Sequence, residues 1–153
     1  MAVVHIDVIV NSTDSQLPTQ SALEIWATAA VGHHHQDAEI SLLIVDKEEG
    51  AELNRQWRGK EGATNVLSFP SDLPPKLKLP LLGDLIICAP VVKREAIEQK
   101  KSLNSHWAHM IVHGTLHLLG YDHIEDREAE AMESLETEIL GQLGYPDPYQ
   151  DSE

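Results

Sequence analysis

Between residues 113 and 123 the chain reads His113-Gly114-Thr115-Leu116-His117-Leu118-Leu119-Gly120-Tyr121-Asp122-His123, and no other stretch constrains the fold as tightly. Residues four apart on a helix lie on one face, one turn above the other, so His113 and His117 can offer two imidazole nitrogens to one ion. A third ligand at the next helical position would drift around the cylinder. Gly120 removes that difficulty, because glycine readily adopts positive φ and lets the chain leave the helix and turn back. His123 then arrives from a second direction. Three neutral imidazoles at about 2.0–2.1 Å from Zn²⁺ leave a fourth tetrahedral position for water, as catalytic zinc requires. The spacing therefore predicts a helix stopping at Gly120 and one zinc ion held by His113, His117 and His123. Imidazole also suits other divalent ions, so the spacing leaves the identity of the metal open.

The rest of the chain must build a scaffold for that helix. Val3 to Val10 alternates and reads as a strand; Pro18 opens a helix that ends near Gly32; Ile40 to Val45 is a second strand. Lys47 to Trp57 is helical and stopped by Gly59, and Thr64 to Phe69 is β-prone and ended by Pro70. Three prolines make Ser71 to Pro80 a loop, and Leu81 to Cys88 is a further strand. Beyond Pro90 the chain reads as helices over 91–103, 104–119 and 126–143, the second capped by Asn104 or Ser105. The order predicts an α+β fold: a small mixed sheet packed with about five helices, in one domain spanning residues 1–153.

Charge separates along the sequence. Of a net −14, the segment Glu125–Glu153 carries −9, from ten acidic residues and one basic. Residues 55–101 hold nine of the eleven lysines and arginines against five acidic residues. An acidic molecule with a basic working face is compatible with a polyanionic partner, although both stretches also fit plain solvated faces. One cysteine excludes an internal disulfide framework, and no run reaches the roughly 18 apolar residues of a membrane span. With no basic and apolar leader at Met1-Ala2-Val3-Val4, the expectation is a cytoplasmic protein without a membrane partner.

Other residues compete for roles. Arg58 stands at a predicted helix end beside Gly59; its planar fork suits a phosphate and charge developing on oxygen, or it merely complements the helix dipole. Asn65 and Ser68 alternate on a strand and either point into a cleft or face solvent. Asp84 either holds a turn or supports a ligand from behind, and Asp122 is a candidate to orient His117 or His123. His106 and His109 share the stripe of His113 but have no returning ligand, so they read as structural or supporting. His33-His34-His35 read as solvated, Trp57 and Trp107 as core, and Cys88 as inert.

The histidine spacing matches the metal scaffold of the metzincin proteases, with one departure: those enzymes place a general-base Glu directly after the first histidine, where this chain has Gly114. In combination, HGTLHLLGYDH, LNRQWRGKEGATNVLSFP and LLGDLIIC resemble the YbeY family of bacterial endoribonucleases, the rRNA maturation factors, over nearly the whole chain. The resemblance implies one zinc on His113, His117 and His123, and a required arginine at Arg58, so that Arg58 and the ligand His117 become the catalytic candidates. It further implies single-stranded RNA as substrate, and 16S rRNA 3′-end processing, ribosome quality control and contact with the small ribosomal subunit and its proteins. Two other readings remain: a metalloprotease-like hydrolase, and a ribosome-assembly factor whose zinc is mainly structural.

Overall fold

The computed structural model describes residues 4–32, 37–60, 62–71, 81–121 and 126–149. Four strands and five helices follow in the order β1 (Val4–Asn11), α1 (Gln20–Val31), β2 (Ala38–Val45), α2 (Lys47–Arg58), β3 (Val66–Pro70), β4 (Leu81–Cys88), α3 (Ala89–Glu98), α4 (Leu103–Leu118) and α5 (Asp126–Gln142). The strands form one mixed sheet in the order β1-β2-β4-β3. β1, β2 and β4 run parallel, and β3 pairs antiparallel with β4. The parallel strands need helical crossovers, which α1 and the α2 region supply. This is the α+β architecture with a small mixed sheet and five helices that the element pattern predicts.

Alternation sorts the strands into two faces. Val4 and Ile6, Ile40 and Leu42, Leu85 and Ile87 are buried in the main core, where α1 and α4 pack on the sheet. On the opposite face Val45, Cys88 and Val91 form a small second cluster with Leu53 of α2 and Ile86. Burial pushes the Cys88 thiol up, in keeping with an inert side chain. No helix of the described residues is long and apolar enough to cross a membrane.

α4 is the central beam. Trp107, Ala108, Ile111, Val112 and Leu116 are fully enclosed, and the helix touches the sheet, α1, α3 and α5. Each large apolar side chain buried this way contributes about 1.5–3 kcal/mol. The histidines on α4 are therefore carried by a helix that apolar packing already holds in place.

The structure corrects several expectations. α4 is capped by Ser102, whose hydroxyl accepts from the Ser105 amide at 3.1 Å, and not by Asn104 or Ser105. The preceding helix stops at Glu98 instead of running to residue 103, because Lys100 takes φ +56° and breaks the helix before α4 begins. Trp57, expected in the core, is 60% exposed and lies edge-on to Phe69, with 5.8 Å between ring centroids. It belongs to a helix face that the sheet covers only in part, whereas Trp107 is buried as expected. His33, His34, His35, Asp122, His123 and residues 72–80 of the proline-rich loop lie outside the described residues.

Candidate metal centre

The C-terminus of α4 shows how local sequence prepares a ligand. Gly120 takes φ +105°, its amide donates to the His117 carbonyl at 3.0 Å, and the Tyr121 amide donates to the Leu116 carbonyl at 3.0 Å. This pair of bonds is a Schellman motif, and glycine suits its left-handed position because it has no Cβ to clash. The turn also fixes the Tyr121 carbonyl in space. That oxygen accepts from His117 Nδ1 at 3.0 Å. A carbonyl can only accept, so the proton of His117 resides on Nδ1 and the lone pair of Nε2 faces outward.

His113 is oriented by a different element. Its Nδ1 bonds to Oε1 of Glu136, a carboxylate from α5 that is completely buried. The ionised carboxylate likewise only accepts, which leaves the His113 Nε2 lone pair exposed. The two Nε2 atoms lie 3.1 Å apart, with ring planes at 81°. Two lone pairs at that distance repel, and a cation between them turns the contact attractive. Two ligands at about 2.05 Å in a tetrahedron are roughly 3.3 Å apart, so the spacing suits one small metal ion. A carboxylate or carbonyl holding the far nitrogen of each imidazole is the usual support for ligating histidines.

Glu136 is the centre of this support. Burial alone would raise its carboxyl, but hydrogen bonds from His109 and His113, and the Tyr149 hydroxyl, outweigh it and hold the group down to about 2. His109 Nε2 lies 3.4 Å from Oε2 and 3.2 Å from the Tyr149 hydroxyl; burial lowers its own affinity for a second proton. His109, His113 and Glu136 also bring three possible ligand atoms within 4.8 Å of one another, a cluster that could hold a metal. Yet an ion there would displace hydrogen bonds from both oxygens of a buried carboxylate. An ion held by the two Nε2 atoms would leave the bonds to Glu136 and to the Tyr121 carbonyl in place.

The pair lines an open cleft of about 640 Å³ together with Arg58, Thr64, Asn65 and Ser68. Arg58 is the last residue of α2, delivered there because Gly59 (φ +67°) ends the helix in the left-handed conformation. A neighbouring cavity of about 650 Å³ also reaches His113 and Asn65 and carries Lys100 and Lys101. Asn65 is braced between the two: its Nδ2 donates to Glu95 at 3.0 Å, and Glu95 also accepts from His106 Nε2 at 3.0 Å. Burial tends to raise Glu95, but these two bonds keep it below the usual carboxylate range.

Gly114 explains the departure from the protease pattern. A Cβ on it would meet Leu85 Cδ2 at 2.8 Å and Val66 Cγ2 at 3.4 Å, so α4 sits against the sheet where those enzymes carry a glutamate. Gly114→Ala should cost about 1–3 kcal/mol in overpacking against a return of about 1 from helix propensity. A net loss of up to about 2 kcal/mol in urea unfolding is expected; a variant stabilised by the full helix-propensity gain of about 1 kcal/mol would contradict the tight approach.

Of the sequence-predicted residues, the structure therefore brings together His113, His117 and Arg58, with Asn65 and Ser68 on the same cleft. His123 lies outside the described residues, as does Asp122. Among the described residues, His117 Nδ1 is held by the Tyr121 carbonyl. Asp84 is exposed and does not line this cleft. Sequence reasoning missed Glu136 and Tyr149. The first carried a signal: it lies in one stripe with Met132, Ile139 and Leu140, a carboxylate on an otherwise apolar helix face.

A family model described as Endoribonuclease YbeY matches residues 8–144. This chain belongs to that family. Two YbeY relatives are similar over nearly their full length. The one named Endoribonuclease YbeY from Cellvibrio japonicus (strain Ueda107) is 54% identical over 153 residues, covering 99% of this chain and 86% of the relative. The one of the same name from Pseudomonas putida (strain W619) is 57% identical over 143 residues, covering 93% and 91%. A solution structure of a Thermotoga maritima protein superposes with a TM-score of 0.60 at 25% identity, covering 91% of both chains. Members of the YbeY family are named as endoribonucleases, a class of hydrolase, which agrees with a site built on histidines and an arginine.

Proposed function

We propose that this chain, a single catalytic domain over residues 1–153, is a zinc-dependent endoribonuclease that cuts single-stranded RNA. The observation that carries the reading is the 3.1 Å approach of the His113 and His117 Nε2 atoms, with each opposite nitrogen engaged by an acceptor. His123, reached two residues after Tyr121, is the third ligand in this reading. Zinc held in this way supplies a Lewis acid and a bound water whose pKa falls towards about 7.

The chain's own groups do the rest. Arg58, which lines the same cleft as the imidazole pair, binds a non-bridging phosphate oxygen and stabilises the charge that builds there. Glu136 and the Tyr121 carbonyl keep the two imidazoles in the ligating tautomer. Single-stranded RNA, whose unstacked bases and backbone are accessible to a side-chain cleft, is the substrate form that the sequence resemblance implies. The family name supports RNA as substrate. Maturation of the 16S rRNA 3′ end, ribosome quality control, contact with small-subunit proteins and a cytoplasmic location complete the proposal on the strength of the sequence resemblance. The metalloprotease alternative loses ground at Gly114, which has neither the carboxylate nor space for one.

Metal removal tests the reading. Chelator-treated protein should keep its helical circular dichroism yet lose cleavage of a single-stranded oligoribonucleotide, and one equivalent of zinc should restore it. The core of α4 is apolar and independent of the ion, which is why folding should survive. An apo-protein that unfolds would make the zinc structural, and full cleavage without metal would end the proposal.

A further inference from the structure

After α5 the chain does not trail into solvent. Gly144 reverses it at φ +92°, and Tyr145 packs edge-on against Trp26 with 6.4 Å between centroids. Lys101 Nζ donates to the Pro148 carbonyl at 2.9 Å, and the Tyr149 amide donates to Asp147 Oδ1 at 2.8 Å. These contacts press the segment over the end of the histidine stripe. Tyr149 as a residue is 46% exposed, yet its hydroxyl reaches inward and donates to Glu136 Oε2, with the ring edge-on to His109 at 5.3 Å.

Glu136 is thereby shared between two ends of one relay. Oε1 accepts a hydrogen bond from His113 Nδ1, and Oε2 accepts one from the Tyr149 hydroxyl. The other donor near Oε2 is His109 Nε2, at the long distance of 3.4 Å. A buried carboxylate oxygen with a poor donor costs about 1–3 kcal/mol or more, and a carboxylate free to rotate would relieve that cost by turning away from His113. The charge-assisted bond from the Tyr149 hydroxyl to Oε2 opposes that rotation.

We infer that Tyr149 is a positioning residue for the metal site: through Glu136 it holds His113 in the tautomer and orientation that ligation requires, so the C-terminal segment completes the centre. The inference rests on His113 being a ligand. It concerns a residue five positions beyond the stretch that the family model matches.

Tyr149→Phe removes one oxygen and keeps the ring. Its zinc dissociation constant, measured by competition with a chromophoric chelator, should rise about tenfold to a hundredfold, the usual effect of losing a support behind a ligand. The apo-protein should melt within a few degrees of the parent. Tyr145→Phe, on the same segment but packed against Trp26, should leave zinc affinity unchanged. Long-range ¹⁵N–¹H spectra of the metal-free protein read the His113 ring directly: the parent should keep its proton on Nδ1, and Tyr149→Phe should mix the two tautomers. A Tyr149→Phe protein with affinity within twofold of the parent and an unaltered His113 ring would overturn the inference. Tyr149→Leu gives the same reading if the phenylalanine variant does not fold. His113→Ala protein that retains tight zinc would instead remove the ligand reading on which it stands, a result these spectra distinguish from failure of the relay.

Discussion

His117→Ala protein is expected to purify folded, to hold almost no zinc, and to cleave single-stranded RNA at least about 10³-fold more slowly than the parent. Lewis-acid stabilisation by a metal is worth several kcal/mol, and each 1.36 kcal/mol is a factor of ten in rate. The fold should survive because His117 is only half-buried and lies at the end of its helix. Its neighbours Leu116 and Leu118 carry the packing. Metal analysis by mass spectrometry, cleavage assayed on nuclease-free preparations, and circular dichroism check the three parts. Near-normal zinc with near-normal cleavage would show that another set of groups holds the ion, the His109–Glu136 cluster being the alternative.

Arg58→Ala should separate chemistry from metal binding. Zinc content should stay at one per chain, since the guanidinium bonds to neither imidazole. Cleavage should fall about 10²–10³-fold, the loss that follows removal of one preorganised donor to a developing oxyanion. Binding should also respond to salt less steeply, by about 0.7 in the slope of log K against log salt, because one phosphate contact is gone. Arg58→Lys should restore that slope but little of the rate, since an ammonium keeps the charge and lacks the planar fork. An Arg58→Ala enzyme that cuts at the parental rate would leave the residue as a helix-end cation complementing the dipole of α2.

Much of the scaffold was legible before any coordinates. Leu81–Cys88 and the helices from Lys47 and Asp126 begin where their patterns place them, and the mixed sheet follows from the alternation of strands and helices. Two local expectations fail, each for its own physical reason. Asn104 and Ser105 looked like caps because capping was judged by residue type, while the chain enters α4 one turn earlier at Ser102. Trp57 looked like core because its spacing is helical, and periodicity says which face a residue shares without saying what covers that face.

What the sequence determined by itself at the candidate site is local. Four-residue spacing aligns His113 with His117, and Gly120 ends the helix so that Tyr121 can hold the second ring; both effects act within one turn of backbone. What the tertiary structure decided is everything that depends on a distant element. Glu136 comes from a separate helix and Tyr149 from the segment beyond it, and Arg58 reaches the cleft only because α2 ends beside the antiparallel strand. Hydrogen bonds between residues 13 or more positions apart leave no periodic trace in a chain. They exist because burying a carboxylate among apolar side chains is costly until donors from several elements surround it.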